Sequence, residues 1–163
     1  MTQGRDDPDR RFLPSIDADL SFVSKNIGQL HEYWRTKLDG RQMPARADID
    51  PIDIPKLLPY VALIEVGWNP RRFRWRLIGT HITTALGYDS TGFHFDERYS
   101  GQVLADLMAV YERVIERKAP IRHFGKPTFA DQIYSEYESA HFPLSESGER
   151  VDIILVGLEF LRL

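Results

Sequence analysis

One stretch near the middle of the 163-residue chain constrains its fold most strongly, because arginines alternate there with large apolar side chains between positions 72 and 77. This two-residue period is typical of a strand with one buried and one solvated face. The pattern stops at Gly79, and a Thr-rich apolar segment then leads to Gly87 and Gly92. Such punctuation predicts a strand followed by a helix of one or two turns. The predicted buried face holds Phe73, Trp75 and Leu77, and the solvated face holds Arg72, Arg74 and Arg76.

Apolar residues at three- and four-residue spacing predict two longer helices. The first belongs to residues 15–42 and begins at Ser15, after a charged stretch, residues 1–14, that we expect to be a mobile tail. The second runs from Gln102 to Lys118, with Ser100 as its N-cap. The apolar stripe of the first helix consists of Leu20, Val23, Ile27, Leu30, Trp34 and Leu38.

The remaining regular segments read as strands and tight turns. A nearly continuous apolar run from Tyr60 to Val66 pairs with the alternating strand as an antiparallel hairpin. Asp50, followed by a proline, predicts the capped start of a short helix. Three strands follow the second long helix, and Gly125 and Pro127 mark the first of them as an edge strand. Their predicted ranges are Ile121–Phe129, Ile133–Leu144 and Val151–Leu161. Hairpins separated by helices favour an α+β domain with one antiparallel sheet.

The composition excludes several classes of function without identifying one. The net charge is -3, and no basic stripe of the kind that binds nucleic acid is present. The absence of cysteine excludes disulfides, cysteine-ligated zinc, iron–sulfur clusters and thiol nucleophiles. No apolar run approaches the roughly 18 residues of a membrane span, and the N-terminus is polar and charged. We therefore expect a cytoplasmic protein that binds neither nucleic acid nor a membrane.

The order of several short segments resembles the PAS domain, and more narrowly a group of short bacterial proteins that consist of a single PAS domain. The resemblance extends from about Phe22 to Phe160, and it defines a PAS-like domain over residues 43–163 that follows the N-terminal helix. The segments that carry it are Tyr33-Trp34-Arg35, Pro44-Ala45-Arg46-Ala47-Asp48-Ile49-Asp50-Pro51, Arg76-Leu77-Ile78-Gly79-Thr80, Leu86-Gly87-Tyr88 with Gly92, and Pro143-Leu144-Ser145 with Gly148.

This resemblance implies a five-stranded antiparallel sheet whose helices enclose a pocket on one face, with an extra N-terminal helix. It implies a sensory or protein-interaction module that binds a small molecule or a partner. With no effector segment expected after Leu163, the output would pass to an effector protein in trans. PAS domains often dimerise, so we expect a homodimer formed through the N-terminal helix and the sheet.

The strand from Ile133 to Leu144 supplies most of the candidate ligand-binding residues. One of its faces mixes aromatic bulk with hydroxyl and imidazole groups, which suits a small polar ligand. The alternative is a core in which these polar groups are satisfied by their neighbours. His81 would face the same region in a PAS fold, and the positive end of its helix would lower its pKa and keep it neutral. The predicted ligand-binding residues are His81, Tyr137, Ser139, His141 and Arg76, the last as an anion-binding alternative to a solvated strand arginine.

Cofactor and catalytic chemistry find little support in the sequence. No two histidines have the spacing of a helical metal site. Some PAS domains ligate haem through a histidine on or near their long helix. The second long helix of this chain contains no histidine, so haem ligation would fall to His94 before it or His123 after it. A flavin adduct or a covalent chromophore would need a cysteine. Ser139 and His141 lack a nucleophile elbow, so we expect no enzyme. Two alternatives stay open: a small α+β-barrel pocket enzyme of the cyclase or isomerase type, and a structural dimerisation domain whose pocket is filled by its own side chains.

Overall fold

The structure is a computed structural model that describes residues 20–126, 134 and 136–162. Three short 3-10 turns, at Arg46–Asp48, Pro51–Asp53 and Leu58–Tyr60, connect the first helix to the first strand. The helices and strands, in chain order, are α1 (Lys25–Thr36), β1 (Val61–Gly67), β2 (Arg72–Ile78), α2 (Thr80–Leu86), α3 (Phe95–Arg98), α4 (Gly101–Arg117), β3 (Ile121–Gly125), β4 (Glu136–Leu144) and β5 (Ile153–Leu161).

The five strands form one antiparallel sheet in the order β2-β1-β5-β4-β3, which confirms the predicted α+β class. The last strand, β5, lies in the centre and pairs with both β1 and β4. β3 is at an edge, as Gly125 predicted, although positions 127–129 of the predicted strand lie outside the described residues. β4 begins at Glu136, and Ile133 and Ser135 also lie outside the described residues.

Strand alternation divides the core into two layers on opposite faces of the sheet. The inner face, as we call the face that α4 covers, contributes Ile64, Phe73, Ile121 and Val156 to a cluster with Tyr111 and Val114 of α4. On the outer face, covered by α1, lie the side chains of Leu63, Phe142 and Leu155, packed against Ile27, Leu30 and Trp34. The predicted arrangement, with helices on one face and an added N-terminal helix, is thereby confirmed.

Helix α1 begins at Lys25. Residues 20–24 are not helical, so the helix predicted to run on from Ser15 is wrong over these residues, and residues 15–19 lie outside the described part of the chain. Ser24 is the N-cap, and its hydroxyl oxygen accepts a hydrogen bond from the Ile27 N–H over 3.1 Å. Val23 is 57% exposed and does not belong to the buried stripe. The helix ends at Thr36, before residue 42.

Two contacts attach α1 to the sheet over its length. The indole N–H of Trp34 donates to the Pro143 carbonyl over 3.1 Å. At the middle of the helix, Gly157 allows close approach, because a Cβ there would lie 3.0 Å from the Leu30 Cδ2 atom. The stripe of α1 is thus buried against the sheet of the same chain.

A wholly buried carboxylate holds the N-terminal end of α1. Glu138 is 0% exposed and accepts hydrogen bonds from the backbone N–H groups of Val23, at 2.9 Å, and Ser24, at 2.8 Å. Arg122 of the neighbouring strand donates to the same carboxylate through Nε and Nη2, at 2.8 and 2.7 Å. A buried charge is stable only when it is paired and hydrogen-bonded, and Glu138 meets both conditions.

A β-bulge in the β1–β2 hairpin overturns one prediction about the alternating strand. Leu63 pairs with Leu77, but the next residue, Ile64, pairs with Trp75, so Arg76 is an extra residue without an opposite partner. The bulge reverses the alternation after Trp75. Phe73 and Trp75 therefore pack on the inner face as predicted, whereas Leu77 turns to the outer face and is 40% exposed.

The arginines of β2 form ion pairs with carboxylates of neighbouring elements. Arg74 and Arg76 both pair with Glu65 of β1, at 2.6 and 3.0 Å. Arg72 makes a two-point contact with Asp96 in α3, at 2.8 and 2.6 Å. Glu65 is the shared partner because the hairpin register places it directly opposite Arg74.

No helix among the described residues is both long and apolar enough to cross a membrane.

Gly79, between β2 and α2, provides a test of this packing. A Cβ at this position would lie 2.3 Å from the carbonyl oxygens of both Leu58 and Pro59, and these backbone atoms cannot rotate away. We expect Gly79→Ala to lower the free energy of unfolding by about 2–3 kcal/mol, as overpacking does, measured by urea denaturation.

The matched control is Gly28→Ala, in the middle of α1, where the nearest atom would be 4.0 Å from the new Cβ. Because alanine favours helix over glycine, this variant should be unchanged or stabilised by up to about 1 kcal/mol. Equal stabilities for the two variants would contradict the close approach at Gly79.

Candidate ligand site on the inner face

Three of the predicted site residues lie together on β4. Tyr137, Ser139 and His141 are alternate residues of the strand and share the inner face, as their parity predicted. All three are buried, with exposures of 8%, 5% and 4%. Their side chains point toward the layer that holds α4, since the ring of His141 packs edge-on against Tyr111 at 5.0 Å between centroids.

His141 has only half of its hydrogen-bonding capacity satisfied. Its Nε2 lies 3.1 Å from the Ser139 hydroxyl oxygen, whereas its Nδ1 is buried and has no hydrogen-bond partner among the described residues. A neutral imidazole has one donor nitrogen and one acceptor nitrogen, so Nδ1 offers one or the other according to the tautomer. An unmatched buried polar atom of this kind costs about 1–3 kcal/mol.

Two further residues belong to this group, although the sequence did not assign them to the ligand site. His123 of β3 lies opposite Ser139 in the strand register, and its ring nitrogens are each 3.2 Å from the Tyr137 hydroxyl oxygen. Tyr111 of α4 covers His141 from the helix side. The alternation of β3 would have placed His123 on the inner face, but only the register places it beside Ser139. We call His123, Tyr137, Ser139, His141 and Tyr111 the inner-face cluster.

The inner-face cluster is electrically neutral at neutral pH. Burial, with a smaller effect from His123, lowers the pKa of His141 to about 3. Burial, with the charge of Arg122, lowers the pKa of His123 to about 4. Burial raises the pKa of Tyr137 to about 12, and it also raises the pKa of Tyr111. The cluster therefore presents hydroxyl and uncharged imidazole groups.

His81 lies beside the Tyr137 end of the same face, because its ring packs 6.0 Å from that of Phe160, the register partner of Tyr137, but it is held by the backbone. Its Nε2 accepts a hydrogen bond from the Phe160 N–H over 3.1 Å, beyond the point where β1 stops pairing with β5. Its ring also packs at 4.7 Å from Tyr60. The pKa of His81 is lowered as predicted, but the main cause is burial, with Glu159 opposing it, rather than the helix end. In the described arrangement His81 satisfies a strand N–H.

Arg76 is not brought together with the other candidates. It is the bulge residue of β2, its side chain is 53% exposed, and its guanidinium pairs with Glu65, whose side chain lies on the outer face. The geometry therefore joins Tyr137, Ser139 and His141 directly, places His81 near them through Phe160, and leaves Arg76 across the sheet.

The histidines considered for haem occupy different environments. His94 is the residue just before α3, and its Nδ1 is 2.7 Å from the Glu97 carboxylate. His123 lies within the inner-face cluster. In the described ranges, no group of three or more His, Asp or Glu side chains is arranged to hold a metal ion.

Comparison with known proteins gives one result. The family model of the PAS domain matches residues 23–155, which include α1, the strands β1 to β4 and the first three residues of β5. No curated protein and no solved structure matches the chain.

The low pKa of His141 predicts a specific dependence of stability on pH. With a folded pKa of about 3 and an unfolded value of 6.5, the unfolded chain binds the proton first as the pH falls. Below about pH 6, this histidine should therefore lower the free energy of unfolding by about 1.4 kcal/mol per pH unit. His141→Phe, which keeps a buried ring but cannot titrate, should flatten the measured slope by that amount.

The measurement is urea denaturation at several pH values, with Val103→Ala as the control. Val103 is 60% exposed and has no titratable group, so this variant should keep the wild-type slope. Identical slopes for wild type and His141→Phe would mean that His141 does not enter the folded core as an uncharged ring.

Proposed function

The chain belongs to the PAS domain family, and we propose that it is a sensory module that binds a small, uncharged, hydrogen-bonding molecule at the inner-face cluster. The observation that carries the proposal is the buried Nδ1 of His141, which has no hydrogen-bond partner among the described residues. A ligand hydroxyl, carbonyl or amide at this atom would remove an unfavourable buried polar group. A sensory or interaction module is what membership of the family suggests.

The chemistry of the cluster supports an uncharged ligand. The imidazoles of His123 and His141 are neutral at pH 7, and the tyrosine hydroxyls are protonated. Arg122, the cationic neighbour of His123, is directed to the other face, where Glu138 neutralises it. A buried ionic ligand would need a compensating charge, which these side chains do not provide. The aromatic rings of Tyr111 and Tyr137 would supply apolar contact area.

The proposal assigns no catalytic residue. A general base works best with a pKa near the working pH, and His141, with a pKa of about 3, is far from that value. Its Nε2 faces the Ser139 hydroxyl rather than a carboxylate, so a buried His–Asp pair of the isomerase type has no support at this position. A non-enzymatic role and a cytoplasmic location stay predictions.

The second candidate is a structural interaction domain whose inner face is filled by its own side chains. The observation that favours it is that Ser139 bonds His141 and Tyr137 contacts His123, so most of the polar groups are matched internally. The two candidates differ in the partner of the His141 Nδ1. In a sensor this partner would be the ligand, and in a structural domain it would be water.

A route from the inner face to a partner protein is part of the proposal. On β4, the ligand-facing residues Tyr137 and Ser139 alternate with Glu138, which holds the start of α1. A shift of this strand on ligand binding would therefore move the attachment point of α1. An effector protein that contacts α1 would receive the change.

Native mass spectrometry of the purified chain tests the ligand directly. We expect the wild type to retain an added mass, or to acquire one from a library of uncharged fragments that contain hydroxyl, amide or carbonyl groups. His141→Phe should raise the dissociation constant about tenfold, as expected for the loss of a hydrogen bond worth about 1.4 kcal/mol. An absorption scan between about 350 and 450 nm identifies a coloured cofactor, such as haem or flavin.

His94→Phe, outside the cluster, is the control and should bind as the wild type does. A wild type that carries no added mass and binds no fragment would favour the structural domain. Equal binding by His141→Phe would move the ligand to a different place.

A further inference from the structure

The hydrogen bond between Ser139 and His141 determines what kind of group the free nitrogen of His141 can bind. A neutral imidazole has one N–H and one nitrogen with a lone pair. The Nε2 of His141 is 3.1 Å from the Ser139 hydroxyl oxygen, and its buried Nδ1 has no partner among the described residues. If the hydroxyl donates to Nε2, the ring proton is on Nδ1 and the free nitrogen is a donor. If Nε2 donates to the hydroxyl oxygen, the free nitrogen is an acceptor.

Ser139 has a hydroxyl proton that needs an acceptor inside the core. The residue is 5% exposed, and it is flanked on both sides in the sheet by its register partners His123 of β3 and Leu158 of β5. In the part of the chain that the structure describes, the contact with the His141 Nε2 is the one hydrogen bond of the Ser139 side chain. Nε2 is therefore the acceptor available to this proton.

The choice of acceptor favours the same arrangement. Either direction of the Ser139–His141 bond makes one hydrogen bond and leaves one donor unpaired, so the acceptors decide between them. An imidazole nitrogen is far more basic than an aliphatic hydroxyl oxygen, and it is the stronger acceptor. Donation from Ser139 uses this strong acceptor, whereas donation from Nε2 would leave the equally basic Nδ1 buried and unpaired. We therefore expect the proton on Nδ1.

A bound ligand separates the two arrangements further. With the proton on Nδ1, a ligand acceptor at this atom leaves both buried donors, the Nδ1–H of His141 and the hydroxyl of Ser139, with partners. With the proton on Nε2, a ligand donor at Nδ1 would still leave the Ser139 hydroxyl proton unpaired. Buried donors without partners are rare in proteins, so a ligand that accepts at Nδ1 fits this pair of side chains.

We propose that the ligand of the inner-face cluster presents a carbonyl oxygen to the Nδ1–H of His141, and that Ser139 is the positioning residue that holds the ring in this tautomer. The assignment rests on the ligand site proposed above, and it narrows the ligand to a carbonyl compound. A carbonyl oxygen accepts without bringing a proton of its own, whereas a hydroxyl would bury an additional donor. The ring of Tyr111, 5.0 Å from that of His141, offers apolar contact to the carbon skeleton.

The first test locates the ring proton in the ligand-free full chain at pH 7, by NMR of ¹⁵N-labelled histidine. The protonated and unprotonated nitrogens of a neutral ring have different ¹⁵N shifts, so the tautomer can be read directly. We expect the His141 proton on Nδ1 in the wild type. Ser139→Ala, which removes the hydroxyl, should lose this preference, and Ser139→Thr, which keeps a hydroxyl, should retain it.

The second test compares two uncharged five-membered rings of similar size, cyclopentanone, which only accepts, and pyrrole, whose N–H only donates. Binding is followed by the ¹⁵N shifts of His141. We expect the wild type to bind cyclopentanone about tenfold more tightly than pyrrole, the factor given by one matched hydrogen bond. In Ser139→Ala this ratio should fall toward one, because the ring can then present either tautomer. The matched control is Ser147→Ala, in the exposed β4–β5 turn, which should keep the wild-type ratio.

A wild-type ring with its proton on Nε2 would overturn the assignment, and so would tighter binding of pyrrole than of cyclopentanone. A tautomer and a binding ratio that folded Ser139→Ala leaves unchanged would overturn the role of Ser139. Binding of neither probe would count against the ligand site itself, and the assignment would fall with it. A preference for pyrrole would instead leave the ligand site standing and contradict the carbonyl alone.

Discussion

The buried carboxylate of Glu138 is the interaction on which the arrangement of the outer layer depends. It accepts hydrogen bonds from the two backbone N–H groups just before α1, and Arg122 of the edge strand balances its charge. Removing one partner of such a buried pair costs about 3–5 kcal/mol, because it leaves an uncompensated charge. The helix, β3 and β4 are therefore held as one unit, and the stripe of α1 stays on its own sheet.

Strand alternation gives the two faces of the sheet different roles. On β4, residues of one parity build a neutral polar cluster beneath α4, and those of the other parity hold α1. Only the backbone of β4 separates these two sets of side chains, so a small movement of the strand would displace both. On the other half of the sheet the bulge at Arg76 turns Leu77 to the outer face and leaves it 40% exposed. The proposed ligand site and the attachment of α1 thus lie on opposite faces of the sheet.

Much of this fold could be predicted from the sequence, because periodicity is a local property. The two-residue period identified the β1–β2 hairpin, and the parity of β4 placed Tyr137, Ser139 and His141 on one face. The errors came from contacts between distant residues. The residues just before α1 are held by Glu138, 114 residues from Ser24, and the reversal at Leu77 depends on the register with β1.

The candidate site shows the same division between local and distant information. His81 had the correct location, but its role as the acceptor of the Phe160 N–H depends on where β1 ends. His123 was considered only for haem, since its place beside Ser139 requires the pairing of β3 with β4.

The central claim is that His141 is a buried, uncharged ring with one nitrogen left for a ligand. The most direct measurement is the NMR titration of the histidine ring nitrogens in the full chain, from about pH 7 to about pH 5. The claim predicts that His141 keeps the ¹⁵N shifts of one neutral tautomer throughout this range, consistent with a pKa of about 3. A His141 ring that gains a proton near its ordinary value of about 6.5 would contradict it.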